Sequence, residues 1–258
     1  MPELNYSSSG SGQPLVVLHG LFGSGRNWQS HARRLAQAFQ VINVDLRNHG
    51  QSFHTDEMNY PAMAGDVARL IRQLDIGPCH LLGHSMGGKV AMALALGEAE
   101  LVADLVIADI APVVYAHDHD ELVDAALGLT LDAIASRADA DRELESAIPE
   151  PGLRAFLLQN LVRDGDSWRW RVNWQAIQRN MSNLTGFIDL PGDWRIDMRT
   201  LFIRGANSDY VDDEAIEQIR RHFCNVEIAT LENAGHWLHA EQPQAFIERV
   251  LEFLLPGR

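Results

Sequence analysis

The chain has 258 residues, 46% of them hydrophobic and 22% charged, a globular balance that excludes a disordered, collagenous or disulfide-scaffold protein. At about 150 residues per domain, the length fits one large domain or one domain carrying an insertion. The formal charge of −14, from 35 acidic and 21 basic residues, repels phosphate backbones and anionic headgroups, so no nucleic-acid or membrane partner is expected. Lys89 is the only lysine; the other basic residues are arginines. Cys79 and Cys224 lie far apart beside apolar runs and read as two buried free thiols. Residues 1–6 show neither the basic start nor the apolar core of a signal peptide. No uncharged apolar run approaches the ~18 residues of a membrane span, so a cytoplasmic protein is expected.

In chain order, the sequence predicts a strand over 15–18, a helix over 28–39, a strand over 41–44 and a helix over 58–74. A strand over 79–82, a helix over 87–96 and a strand over 105–110 follow. The strands are short Val, Ile and Leu runs without polar alternation, as expected of strands buried on both faces. From 113 to 194 no buried strand is evident. Helical patterns over 120–137, 141–147, 153–162 and 174–183 are punctuated by Pro149, Pro151 and Pro191. Strands over 200–203 and 226–231 then resume, with helices over 212–223 and 243–254. Strands alternating with helices imply an α/β fold with a mostly parallel central sheet flanked by helices. The expected division is a core of residues 1–112 and 194–258, with a helical insertion at 113–193. Apart from the Ser/Gly stretch at 7–12, no low-complexity tract or internal repeat is present.

The most informative residues are Gly83-His84-Ser85-Met86-Gly87, between a predicted strand and a predicted helix. A G-x-S-x-G turn in that context presents its serine at the end of the sheet, where the following helix aims unpaired N–H groups at a reacting oxygen. The same stretch spells G-x-x-x-x-G-K from Gly83 to Lys89, a phosphate-loop pattern. Val90 stands where that loop needs Ser or Thr to hold magnesium, which disfavours the nucleotide reading.

An acyl-transfer site also needs oxyanion donors, a base and an acid. The N–H of Met86 is one expected donor; the other comes from His19-Gly20-Leu21-Phe22-Gly23 after the first predicted strand, with Leu21 ahead of Phe22. Eleven histidines are available, and His236 stands apart by its position in Asn233-Ala234-Gly235-His236-Trp237, between the last strand and the last helix. Two aspartates compete as the acid. Asp209 lies in Gly205-Ala206-Asn207-Ser208-Asp209, the usual place in such folds. Asp109 interrupts the apolar run Ile107-Ala108-Asp109-Ile110, where an unpaired charge is costly. That cost favours Asp109 without removing Asp209.

Several motifs together are similar to the YbfF-type esterases of the α/β-hydrolase superfamily. They are His19-Gly20-Leu21-Phe22-Gly23-Ser24, Asp45-Leu46-Arg47-Asn48-His49-Gly50-Gln51-Ser52, Met58-Asn59-Tyr60-Pro61-Ala62-Met63, Gly83-His84-Ser85-Met86-Gly87-Gly88-Lys89, Asp109-Ile110-Ala111-Pro112, Gly205-Ala206-Asn207-Ser208 and Ala234-Gly235-His236-Trp237. The resemblance spans nearly the whole chain and is loosest in the insertion. It implies an α/β-hydrolase fold with a helical cap inserted after the sixth strand. It also implies a serine esterase acting on small to medium acyl esters, with acyl-CoA thioesters as a further candidate, and the catalytic acid in the segment starting at Asp109.

The expected mechanism is acyl transfer to Ser85 with His236 as base and Asp109 orienting it, needing neither metal nor organic cofactor. Phe22, Trp28, Met86 and Trp237 flank these loops, and Phe22, Trp28 and Trp237 are the expected substrate-binding residues. Arg169 and Arg171 are either a solvated edge of the insertion or a contact for an anionic leaving group. The expected partner is a small-molecule ester or thioester; the sequence leaves the oligomeric state open. Two other classes fit the same residues: a lyase or perhydrolase with the same triad, and a non-catalytic binding protein of the same fold.

Overall fold

Alternate residues of each inner strand face opposite helical layers, which is why these strands read as continuous apolar runs. The computed structural model describes residues 3–116, 119–188 and 194–255. The chain runs β1 (Tyr6–Ser9), β2 (Pro14–Leu18), α1 (Gln29–Leu35), β3 (Gln40–Val44), α2 (Tyr60–Leu74), β4 (Cys79–His84), α3 (Met86–Gly97) and β5 (Val102–Ala108). The inserted segment follows with α4 (Asp120–Gly128), α5 (Arg137–Leu144), α6 (Pro151–Leu158), β6 (Leu161–Asp164), β7 (Ser167–Trp170), α7 (Trp174–Arg179) and α8 (Met181–Thr185). Then come β8 (Thr200–Gly205), α9 (Asp213–His222), β9 (Val226–Leu231), α10 (Leu238–Glu241) and α11 (Pro243–Leu254).

Seven strands form one sheet in the order β1-β3-β2-β4-β5-β8-β9. All its pairs are parallel except β1 with β3. In β2, Leu15 and Val17 pack with Trp28, Leu35, Phe246 and Val250 on one face. Val16 and Leu18 pack on the other with Met63, Val67, Val90 and Met92. Local signals set the helix ends. Asn59 caps α2 by accepting from the Ala62 N–H, and Asp212 caps α9 by accepting from Ala215. Among the described residues, no helix is long and apolar enough to cross a membrane.

The structure departs from the sequence expectations at several points. β1 escapes the pattern because all four of its residues are exposed, so an edge strand of Tyr and Ser has no apolar face to announce it. The inserted segment follows β5, the fifth strand of this chain and not the sixth, because the chain before β2 supplies one strand among the described residues. The segment is also not wholly helical. The helix expected over 153–162 ends at Leu158, and 161–170 folds as a hairpin around Gly165 (φ 62°), with Arg163 stacked over Trp168. The helix expected over 120–137 stops at Gly128; a new one starts at Arg137, where Ser136 and Asp139 cap each other. Asn180 divides the helix expected over 174–183. Cys79 is buried, but Cys224 is exposed, because it follows the end of α9 at the sheet edge. The expected boundary at 193/194 lies outside the described residues.

The single lysine ties this insertion to the core. Lys89, on α3 and 1% exposed, donates from Nζ to the carbonyls of Val113 (2.7 Å), Thr185 (3.3 Å) and Gly186 (2.5 Å). These carbonyls belong to the start and the end of the inserted segment, so one side chain holds both of its stems. The Tyr115 ring lies 4.6 Å from the ammonium. Among the described residues Lys89 has no carboxylate partner, and burial pulls its pKa from 10.5 down to about 7. Between those two values the unfolded chain holds the extra proton, so raising the pH across that window stabilises the fold. The thermal stability of the wild type should therefore rise relative to Lys89→Met as the pH goes from 7 to 10. A difference that does not change with pH would show that Lys89 stays charged in the folded protein.

Candidate functional site

The strand order reverses direction between β2 and β4, and in open α/β sheets the crevice beyond the carboxyl ends of such strands is where ligands bind. The loop after β2 carries Leu21 and Phe22, the turn after β4 carries Ser85, Asp109 directly follows β5, and the loop after β9 carries His236. The topology thus delivers four separate sequence motifs to one end of the sheet.

Ser85 occupies a turn that few side chains tolerate, at φ 51° and ψ −121°. Its neighbours make this possible. A Cβ on Gly83 would stand 2.3 Å from the Gly87 carbonyl oxygen, and one on Gly87 would stand 2.3 Å from the Leu18 carbonyl oxygen. The turn is fastened to β5 by the Ser85 N–H donating to the Ala108 carbonyl (3.0 Å). Among the described residues no side chain caps the start of α3, so the helix opens beside Ser85 with its leading N–H groups, those of Met86 and Gly87, left without a side-chain acceptor.

Three side chains from three loops form one hydrogen-bonded series. His236 Nε2 lies 3.0 Å from Ser85 Oγ, and His236 Nδ1 lies 2.8 Å from Asp109 Oδ2. Asp109 is fully buried and sits at φ 51°. Its charge is met on all sides. Besides His236, it accepts from the Gly205 N–H (2.9 Å) and from the Ser208 hydroxyl. Asp209, the competing aspartate, is exposed on the same loop as Ser208. The Tyr210 ring stacks on the His236 ring at 3.7 Å and 14°, with burial and the nearby Asp109 charge pushing its phenol up to about 12. Ser208 and Tyr210 are not evident from the sequence, because the signal in that segment is a carboxylate and these groups act through a hydroxyl and a ring face.

The other histidines here are held neutral by burial. His84 donates to the His236 carbonyl (2.8 Å), and burial pulls its pKa well down. His239 stacks on Trp28 at 4.5 Å, and burial takes its pKa to about 3. His19 and His49 shape the loop after β2. His19 Nε2 accepts from the Leu46 N–H (3.0 Å), and His49 Nε2 accepts from the Phe22 N–H (3.1 Å). Phe22 therefore has its N–H engaged, whereas Leu21 and Met86 both border the space next to Ser85.

A cavity of about 210 Å³ opens over this series, lined by Phe22, Trp28, Leu153, Phe156, His236 and Trp237 among others. Phe22, Trp28 and Trp237 all reach it, and Trp28 does so while 1% exposed. Arg169 and Arg171 do not. Arg169 is half-exposed and paired with Asp164 (3.2 Å), and Arg171 borders a separate surface groove beside Asp45. The phosphate-loop reading fails as well: Gly83 and Gly87 are packed against protein backbone and Gly88 against Ile107 and Ile110, and Lys89 is spent on three carbonyls.

The profile of the alpha/beta hydrolase family matches residues 15–249. The sn-1-specific diacylglycerol lipase ABHD11 of Xenopus laevis is 39% identical over 261 residues, spanning 96% of this chain and 82% of that protein. Esterase YbfF of Escherichia coli (strain K12) is 36% identical over 242 residues, spanning 93% of this chain and 92% of that protein. A solved structure described as a marine microorganism esterase superposes with a TM-score of 0.95 at 38% identity, covering 98% of this chain and 100% of the other. The chain belongs to the alpha/beta hydrolase family. Within it, the chain is of the YbfF esterase type.

The Ser85 turn generates a prediction about stability. A strained residue of this kind costs about 1–3 kcal/mol, and glycine relieves that strain while giving back ~0.4–1 kcal/mol in unfolded-state entropy. Ser85→Gly should therefore exceed Ser85→Ala in stability by about 1 kcal/mol, a melting difference of roughly 2–4 °C at this size. Equal melting temperatures, or the reverse order, would show that the turn stores no strain.

Proposed function

We propose that the protein is a serine-dependent carboxylic ester hydrolase that works through an acyl-enzyme on Ser85. The observation that carries this is the series Ser85–His236–Asp109, with contacts of 3.0 and 2.8 Å, at the floor of an apolar cavity. A serine hydroxyl is a weak nucleophile until a neighbouring imidazole takes its proton. His236 accepts that proton as Ser85 Oγ bonds to the ester carbon. The carbonyl oxygen then carries the charge, and the N–H groups of Leu21 and Met86 receive it; Phe22 is set aside because His49 already occupies its N–H. His236 returns the proton to the departing alkoxide as the carbon–oxygen bond breaks. Water, deprotonated by His236, attacks the acyl-enzyme and releases the acid.

Asp109 orients the imidazole and offsets its positive charge during each step. The Tyr210 ring keeps His236 flat against one face, and the Ser208 hydroxyl keeps Asp109 turned toward it. Residues 113–193 serve as a cap: Leu122, Leu153 and Phe156 contribute apolar walls to the cavity, and Phe156 meets Trp237 at 6.2 Å. Oxygen esters fit this reading better than acyl-CoA thioesters, because Arg169 and Arg171 stand away from the cavity where coenzyme phosphates would need them.

The assignment of the acid is testable by rank. Asp109→Asn should lower kcat on p-nitrophenyl acetate by about 10⁴, as expected when an imidazole is left in the wrong tautomer. Asp209→Asn should stay within a few-fold of wild type. Steady-state rates of the two variants decide it, and the opposite ranking would move the acid to Asp209.

A further inference from the structure

Two cavities meet at Ser85, and they differ in size and in which catalytic group they touch. The larger, about 210 Å³, is bordered by His236 and not by Met86. The smaller, about 30 Å³, is bordered by Met86 and not by His236, and is closed by Ile110, Met181, Leu184 and the stem of Lys89. Its far wall is fixed in place. The Tyr60 hydroxyl donates to the Leu184 carbonyl (2.6 Å), and Lys89 holds the carbonyls of Thr185 and Gly186.

Resting on the esterase reading above, the geometry of proton return decides which half of the ester enters which cavity. Once Ser85 Oγ has bonded to the ester carbon and the oxyanion faces Leu21 and Met86, two substituents remain, the acyl chain and the alkoxy group. The alkoxy oxygen has to come within hydrogen-bond reach of the His236 imidazole, because the proton taken from Ser85 leaves with it. The alcohol half therefore occupies the large cavity, and the acyl chain points the opposite way, past Met86. We infer that the substrates are esters of short acyl groups with bulky apolar alcohols. A dry cavity of ~150 Å³ admits benzene, so one a fifth that size takes about one carbon beyond the acyl carbonyl, an acetyl-sized group.

The experiment uses a pair of isomers that differ only in the direction of the ester. Octyl acetate carries its long chain on the alcohol, and ethyl octanoate carries it on the acid. The intact protein should hydrolyse octyl acetate with kcat/KM at least about tenfold higher, since single methylenes that fail to fit already change rates by roughly 10–200-fold. Leu184→Ala and, separately, Met181→Ala should narrow that ratio severalfold by lengthening the small cavity. Equal rates, or a preference for ethyl octanoate, would overturn the partition; the esterase reading would still stand provided Ser85→Ala abolishes the turnover. Failure to hydrolyse octyl acetate also overturns the partition. If p-nitrophenyl acetate is not turned over either, the esterase reading beneath it falls too.

Discussion

The site depends first on how closely the turn after β4 packs against the end of β2. Gly87 lies against the Leu18 and His19 carbonyls, and Gly83 lies against the Gly87 carbonyl, each at a distance that excludes a Cβ. That contact forces Ser85 into its positive φ, opens α3 without a side-chain cap, and sets its first N–H groups beside the loop that bears Leu21. Strain concentrated at one residue persists when the surrounding structure over-determines it. Here two strands and a helix do so, with the Ser85 N–H fastened to Ala108 on the next strand.

The second constraint is the cost of charge in a buried place. Asp109 has no exposed surface, yet each of its oxygens is hydrogen-bonded, through Gly205, Ser208 and His236. Elsewhere at this end of the sheet, His19, His49, His84 and His239 lose their tendency to ionise through burial and serve as neutral donors, acceptors and stacking surfaces. The imidazole that faces Ser85 is thereby set apart from its neighbours by geometry: among these rings, His236 alone joins a hydroxyl to a carboxylate. Lys89 is a further buried ionisable group, and it uses its donors to hold both ends of the insertion over the same helix that Ser85 begins.

Much of this was legible in the sequence where a residue's burial leaves a mark on composition. Strands covered on both faces read as apolar runs, so the five inner strands are legible to within a few residues of their ends, whereas the largely uncovered far-edge strand β9 is legible only from its Val, Ile and Leu content. The edge strand Tyr6–Ser9 is exposed throughout and left no such mark. The hairpin 161–170 was hidden because its buried residues, Leu161 and Val162, continue the apolar pattern of the helix before them. At the site, the apolar setting of Asp109 pointed to a charge with a purpose. Its partners could not be read that way, because Ser208 and Tyr210 are ordinary loop residues until the fold brings them to Asp109 and His236. The exposure of Cys224 and the engagement of the Phe22 N–H by His49 likewise follow from tertiary packing.

The proposed chemistry rests on Ser85 being an activated nucleophile. The most direct measurement is the intact mass of the purified protein after treatment with a small fluorophosphonate, beside Ser85→Ala. An activated Ser85 gives one adduct on the wild type and none on the variant. A folded wild type that takes up no reagent, or a variant that is labelled equally, would contradict it.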